Sequence, residues 1–152
     1  MNKPEFMYVI YIATTPDKLW EALTTREFTR RYWFGVWPES QWTVGSTWQL
    51  MGPDGRVCDR GEVLEIDRPR RLAVSWRHEL DEDLRQIGFT RATFALEPAG
   101  DVVKLTVTHE APEGGEPFIN AVSTGWPHIL SSLKSLLETG KALPATDTLS
   151  SD

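Results

Sequence analysis

Seven tryptophans in a chain of 152 residues constrain its fold more than any other feature. They are Trp20, Trp33, Trp37, Trp42, Trp48, Trp76 and Trp126. Most of them lie in segments with strand or helix periodicity, where rings of this size line an interior. A domain of this length needs few such rings to fill its core, so they are either ordinary packing residues or the walls of an enclosed apolar pocket. Both interpretations stay open at this level.

Length and composition indicate one globular domain. A hydrophobic content of 40% is enough to build a substantial core. We expect the domain to span residues 1–143 and the small, polar segment 144–152 to form a disordered tail. The net charge of −6 argues against nucleic acid as a partner, because such binding requires clustered cations.

Cysteine use and short motifs narrow the class of protein further. Cys58 is the single cysteine, which excludes an internal disulfide and suits a reducing compartment. The apolar run at 6–13 is too short to span a bilayer and has no basic leader or cleavage site. The three histidines lack metal-binding spacing, and neither a GxSxG elbow nor a phosphate loop is present. We therefore expect a soluble cytoplasmic protein without integral membrane association, metal or cofactor.

The N-terminal segment predicts one strand followed by two short helices. Apolar residues occupy both faces of the run at 6–13, so this strand is expected to be central or covered. Thr15 before Pro16 is typical of a capped helix start. Thr24 and Glu27 have the spacing of a capping box, which predicts the start of the second helix.

From residue 42 to 109 the pattern changes to strands separated by turns. Gly52, Pro53, Asp54 and Gly55 form the clearest hairpin connection. The predicted antiparallel strands are 47–51, 58–66, 71–78, 88–97 and 102–110. The acidic segment 79–83 is expected to be a solvated loop at a pocket rim.

The last predicted element is a long amphipathic helix. Apolar residues recur at intervals of three and four over 122–137, and Gly140 is a plausible end. Gly125 and Pro127 should either kink this helix or mark its true beginning. The whole order predicts an α+β fold in which a curved antiparallel sheet wraps around the terminal helix.

Several local patterns, in this order, resemble the START-like (SRPBCC) superfamily with its helix-grip fold. They are most similar to the bacterial branch related to the C-terminal domain of the activator of the heat-shock-protein-90 ATPase. The matching motifs are Leu19-Trp20-Glu21-Ala22-Leu23, Arg31-Tyr32-Trp33-Phe34-Gly35, Val44-Gly45-Ser46-Thr47-Trp48, Gly61-Glu62-Val63-Leu64-Glu65-Ile66, Leu72-Ala73-Val74-Ser75-Trp76, Leu105-Thr106-Val107-Thr108-His109 and Gly125-Trp126. The resemblance covers about residues 5–140. It implies a cavity between the sheet and the long helix, in which members of the superfamily hold lipids, sterols, polyketides or hormones and some act as cyclases or hydrolases.

Strand parity identifies two histidines as polar candidates. His109 shares a face with Val103, Leu105 and Val107, and His78 shares a face with Trp76, so both imidazoles are expected to point inward. Such a histidine can exchange a proton near neutral pH or orient a polar ligand group. It can equally be a buried residue bonded to a backbone carbonyl. His128 lies off the apolar stripe of the terminal helix and is expected to be exposed.

The leading functional hypothesis is the binding of a small, largely apolar molecule in the cavity. The predicted ligand-binding residues are Trp33, Phe34, Trp37, Trp48, Trp76, His78, Phe94, His109 and Trp126. One alternative is an enzyme of the cyclase, lyase or hydrolase type, with His78 or His109 as acid or base. Another is a protein-interaction or chaperone co-regulator module with an exposed apolar patch. A homodimer through Trp37 or Trp42 is compatible with each of these hypotheses.

Overall fold

The computed structural model describes residues 3–144, and seven strands and four helices lie in this part of the chain. The strands are β1 (Glu5–Ile12), β2 (Trp37–Ser40), β3 (Thr47–Met51), β4 (Val57–Asp67), β5 (Arg71–His78), β6 (Thr90–Ala99) and β7 (Val102–Glu110). The helices are α1 (Pro16–Thr24), α2 (Arg26–Tyr32), α3 (Glu82–Ile87) and α4 (Glu116–Thr139). The predicted bounds of β3, β5 and β7 agree with the structure at both ends. The predicted tail, 144–152, lies outside the described residues apart from Pro144.

All strands form one antiparallel sheet in the order β1-β7-β6-β5-β4-β3-β2. Alternate side chains of β7 are buried, as period-two parity predicts. The core lies between this inner face of the sheet and α4, with α1 and α2 closing one side. The predicted α+β helix-grip architecture is confirmed.

Helix α4 spans 24 residues and buries the predicted apolar stripe. It begins at Glu116, so neither Gly125 nor Pro127 marks its start, although Pro127 removes one main-chain donor from the helix interior. Gly140 ends the helix in the left-handed conformation with φ of 84°, which confirms the predicted stop. No helix within residues 3–144 combines the length and apolar character needed to cross a bilayer.

The expectation that β1 is central or covered is wrong. This strand lies at the edge of the sheet and pairs only with β7. Its even-numbered residues face the core, whereas Met7, Val9 and Tyr11 face solvent on the outer surface and are 57%, 42% and 50% exposed. The apolar alternation on both faces therefore reflects an exposed apolar stripe and not burial on both sides.

The predicted capping box at the start of α2 is also wrong. Thr24 is the last residue of α1, and its hydroxyl donates to the main-chain oxygen of Trp20 over 2.8 Å. Thr25 occupies the N-cap position of α2 without a side-chain cap bond. Because α1 and α2 are separated by this single residue, the first helix takes up the threonine that the pattern assigns to the second. The predicted cap of α1 is confirmed, since the Thr15 hydroxyl accepts from the main-chain N of Lys18.

Two elements were missing from the sequence-based prediction. Strand β2 contains Pro38 and forms only through pairing with β3 at the far edge of the sheet. Helix α3 replaces the end of the predicted acidic loop, because Asp81 accepts hydrogen bonds from the main-chain N of Asp83 and of Leu84. This short helix places Leu84 against the core.

Candidate functional site

A cavity of about 210 Å³ lies between the sheet and α4. It is lined by Trp33, Leu50, Asp59, Trp76, His78, Leu84, Phe118, Ala121, Val122, Gly125, Trp126 and Ile129. Ala121 is exposed and His78 is partly exposed, so the cavity opens to solvent between α3 and α4. An apolar cavity of about 150 Å³ can hold benzene, and this one therefore has room for a ligand of one or two rings.

Three indole rings form the inner wall of the cavity. Trp76 points inward from β5, Trp126 points inward from α4, and Trp33 follows the last residue of α2. The Trp33 ring stacks on Trp76 at a centroid distance of 6.0 Å and lies 5.3 Å from Trp126. Trp76 and Trp126 meet edge to face at 5.7 Å. Each ring is held by the other two, so the wall is rigid on the side away from solvent.

The polar side chains of the cavity lining form one connected group on β4 and β5. The Oδ1 atom of Asp59 accepts a hydrogen bond from the Trp76 indole over 2.9 Å and lies 3.0 Å from Nδ1 of His78. Asp59 is 8% exposed, so these two partners replace most of the water around its carboxyl group. The hydrogen bond to Asp59 raises the pKa of His78 above its usual value, against the opposing effect of burial.

Acidic and basic side chains surround this group on its solvent side. Glu79 and Asp81 also raise the pKa of His78 through their charge. Glu79 is itself paired with Arg77, Arg60 and Arg85. The Arg77 hydrogen bond lowers the pKa of Glu79, so this carboxyl stays ionised next to the cavity mouth.

His109 lies behind the inner wall and not on the cavity surface. It is fully buried, and its Nδ1 accepts a hydrogen bond from the Trp126 indole over 3.2 Å. Its Nε2 lies 2.8 Å from the hydroxyl of Thr90, which donates in turn to the main-chain oxygen of Trp76. This chain fixes the neutral tautomer with the proton on Nε2. Burial lowers the pKa of His109 to about 3.

Trp48 of β3 reaches across β4 and contacts Trp76 and Ser75 of β5. Its Nε1 donates to the main-chain oxygen of Ser75 over 2.8 Å, and its ring meets Trp76 edge to face at 4.6 Å. This contact passes over Gly61, where a Cβ would lie 1.7 Å from the Ser75 oxygen. Only glycine allows the two strands and the indole to approach this closely.

The structure divides the predicted ligand-binding residues into three groups. Trp33, Trp76, His78 and Trp126 line the cavity. Trp48 and Phe94 line a neighbouring void of about 30 Å³, which holds no more than a water molecule.

The third group, Phe34, Trp37 and His109, lines neither of these two spaces. Phe34 meets His128 edge to face at 5.7 Å, and His128 is exposed as expected. The Trp37 ring lies 4.3 Å from the guanidinium carbon of Arg26.

Sequence reasoning missed Asp59, the residue that connects Trp76 to His78. Its signal was strand parity: Asp59 shares the inward phase of Val63 on β4, and an inward carboxyl group is unusual. Leu84, Phe118 and Gly125 were also missed as lining residues. Within residues 3–144, no three histidine, cysteine, aspartate or glutamate side chains are grouped so that they could hold a metal ion.

An antiparallel sheet closed by a long terminal helix, with a cavity between the two, defines a helix-grip protein of the START-like class. The family model described as "Activator of Hsp90 ATPase homolog 1-like protein" matches residues 13–138. The chain belongs to this family. A search of curated protein sequences finds no match.

Solved structures support the same fold. CalU16 from Micromonospora echinospora aligns with a TM-score of 0.73 at 21% identity, over 91% of this chain and 78% of that one. The Aha1 dimer from Colwellia psychrerythraea aligns with a TM-score of 0.71 at 23% identity, over 91% and 99%. An HSP90 activator from Plasmodium falciparum aligns with a TM-score of 0.71 at 20% identity, over 88% and 95%. At these identities the similarity shows the fold alone.

Proposed function

We propose that the protein binds a small, largely apolar molecule in the cavity between the sheet and α4. The observation that carries this proposal is the cavity of about 210 Å³, whose wall is made of aromatic and aliphatic side chains with two polar ones, Asp59 and His78. Concave apolar sites with a few polar atoms are typical of small-molecule binding, since the apolar wall contributes burial and the polar atoms fix orientation.

The cavity remains open although the core around it is densely filled with aromatic rings. The Trp33, Trp76 and Trp126 rings contact one another and leave the space beside Gly125 free. A Cβ built on Gly125 meets no atom nearer than Ile129 Cδ1 at 4.0 Å. Glycine in a helix interior costs about 0.5–1 kcal/mol relative to alanine, so this position gives up stability and leaves volume for a ligand.

The variant Gly125→Leu tests the proposal by filling the cavity. We expect the purified wild-type protein to bind a fluorescent lipophilic probe and to change its tryptophan fluorescence, because three indoles line the site. Gly125→Leu should lose this binding while its thermal stability is retained. Thr124→Leu is the matched control, since Thr124 is exposed on the same helix and lies outside the cavity lining.

Native mass spectrometry of freshly purified protein complements this experiment. A co-purifying small molecule that is absent from Gly125→Leu would support the proposal. Wild-type protein that carries no ligand and binds none of a panel of lipophilic probes would overturn it.

An acid–base reaction in the same cavity is a second candidate function. The observation that favours it is the hydrogen bond between Asp59 and Nδ1 of His78, since a carboxylate at one ring nitrogen makes the other a better base. His109 does not support a reaction, because both of its ring nitrogens are occupied within the core. Loss of turnover with retained binding in His78→Ala would support catalysis.

The other hypotheses from the sequence stay predictions. A homodimer through Trp37 or Trp42 is tested by sedimentation of Trp37→Ser, and a cytoplasmic location by cell fractionation. An interaction module would act through an exposed apolar patch, and β1 offers one in Met7, Val9 and Tyr11. The open cavity favours ligand binding over this alternative.

A further inference from the structure

The polar part of the cavity wall determines which ligand group it can accept. Asp59 accepts from the Trp76 indole and, through its bond to Nδ1 of His78, places the imidazole proton on that nitrogen. Nε2 of His78 has no hydrogen-bond partner among residues 3–144. Because His78 lines the cavity and its Nδ1 is held by Asp59, Nε2 is the ring nitrogen left for a ligand there.

The protonation state of His78 limits the chemistry at Nε2. The neutral imidazole accepts a hydrogen bond there, and the imidazolium donates one. A ligand carboxylate matches only the imidazolium and would lie close to Asp59, with Glu79 and Asp81 on the solvent side. A ligand ammonium would be attracted by Asp59, but it matches only the neutral ring and is repelled by the imidazolium, the form that the Asp59 hydrogen bond favours by raising the pKa of His78. A hydroxyl group both donates and accepts, so it fits Nε2 in either state without bringing a net charge against an apolar wall.

The rest of the wall determines the body of the ligand. Trp33, Trp76 and Trp126 present ring faces and edges to the cavity, and Phe118 contributes a fourth ring. Such surfaces favour a flat aromatic body over a flexible chain, because rings gain from stacked and edge-to-face contacts. The volume sets the size at one or two rings.

We propose that the cavity binds a phenol of one or two rings. Its hydroxyl pairs with Nε2 of His78 while its aromatic ring lies among the three indoles. This inference rests on the proposed function and specifies its ligand class. Asp59 is a positioning residue in this arrangement, because its Oδ1 holds the imidazole at Nδ1, the ring nitrogen that does not face the ligand hydroxyl.

Binding of matched naphthalene derivatives tests the proposal in the full-length protein. Isothermal titration with 2-naphthol and 2-methylnaphthalene compares a hydroxyl with a methyl group of similar size. We expect wild type to bind 2-naphthol roughly tenfold more tightly, which corresponds to one hydrogen bond of about 1.4 kcal/mol. We also expect 2-naphthoate and 2-naphthylmethylammonium to bind less tightly than 2-naphthol.

Histidine variants assign the preference to one side chain. His78→Phe should bind 2-naphthol and 2-methylnaphthalene equally, whereas His128→Phe, at the exposed histidine of α4, should keep the wild-type ratio. Asp59→Asn should reduce the ratio without weakening 2-methylnaphthalene, which keeps the test valid if His78→Phe is unstable. Circular dichroism of each variant checks the fold.

The outcomes separate the two proposals. Equal wild-type affinity for the hydroxyl and methyl compounds, or tighter binding of either charged compound, would overturn the phenol inference and leave apolar binding intact. Absence of binding by all four compounds would count against both.

Discussion

The Trp126 indole donates a hydrogen bond to Nδ1 of His109 over 3.2 Å and so joins the terminal helix to the centre of the sheet. His109 is also hydrogen-bonded to the Thr90 hydroxyl, which in turn donates to the main-chain oxygen of Trp76. This series of hydrogen bonds holds Trp76 and Trp126, two of the three cavity indoles, on the side that faces away from the cavity. In a buried setting each member depends on the others for its hydrogen bonds, because an orphaned polar group there costs about 1–3 kcal/mol.

His109 should make the protein sensitive to acid. The unfolded chain protonates this histidine below about pH 6.5, whereas the folded chain does so only near its lowered pKa of about 3. The free energy of unfolding should therefore fall as the pH drops through this window, by about 2 kcal/mol between pH 6.5 and pH 5. Urea denaturation at a series of pH values measures the effect.

His109→Gln is the control for this prediction. Glutamine can still accept from Trp126 and donate to Thr90, but it does not titrate, so the acid-dependent loss specific to His109 should disappear. Parallel stability curves for the two proteins between pH 6.5 and pH 5 would contradict the interpretation.

Gly61→Ala should destabilise the sheet. Its Cβ would lie 1.7 Å from the Ser75 oxygen and 2.8 Å from Nε1 of Trp48, so the strands or the indole must move. We expect a loss of about 1–3 kcal/mol in urea denaturation, as for other overpacked sites.

The same change at Gly125 is the matched control. Because the added methyl group meets only ordinary contact distances there, Gly125→Ala should raise stability by about 0.5–1 kcal/mol. Effects of the same sign at the two glycines would show that the close approach at Gly61 is not the cause.

Asp59→Asn should lower the pKa of His78. The Asp59 hydrogen bond is the largest contribution that raises this pKa, and burial, which lowers it, remains after the change. Glu79→Gln removes a smaller contribution and should lower the pKa by less. Proton NMR of the His78 ring across the pH range measures both. An unchanged midpoint in Asp59→Asn would refute the assigned cause.

Glu138 and Lys134 should hold the end of β1. The Lys134 ammonium donates to the Tyr11 oxygen, and Glu138 accepts from the Ala13 main-chain N and from Lys134. The hydrogen bonds from Ala13 and from Lys134 lower the pKa of Glu138, so their contribution is present above its ordinary pKa and is lost as the pH falls through the lowered one. Glu138→Gln should speed amide exchange at Ala13 at neutral pH. Glu97→Gln, at an exposed position away from this contact, should leave that exchange rate unchanged.

Most of the fold could be predicted from local hydrophobic patterns, because β7 and α4 each bury one regular face. Period-two alternation identified the inward side chains of β7, and the stripe over 122–137 identified the buried face of α4. The prediction fails where strand pairing, and not the local sequence pattern, determines the structure. Strand β2 has no pattern of its own and forms against β3, and β1 is apolar on both faces although one of them meets solvent.

The site was harder to predict than the fold, because inward direction does not separate the cavity surface from the layer behind it. His78 and His109 have the same parity argument, yet one lines the cavity and the other is enclosed by Thr90 and Trp126. What distinguishes them is the partner of each ring: Trp126 of α4 and Thr90 enclose His109, whereas within residues 3–144 His78 bonds only to Asp59. Strand parity could have identified Asp59 as an inward residue, but its role depends on its partners on β5, Trp76 and His78.

The exposed stripe on β1 has a cost for the protein at high concentration. An outermost strand with Met7 and Val9 on its surface is open to strand addition by a neighbouring molecule, a first step towards aggregation. Because Lys134 already occupies the carbonyl of Tyr11, an incoming strand could extend only along the N-terminal part of β1. The helix that closes the cavity therefore also occupies one of the main-chain acceptors that strand addition would need.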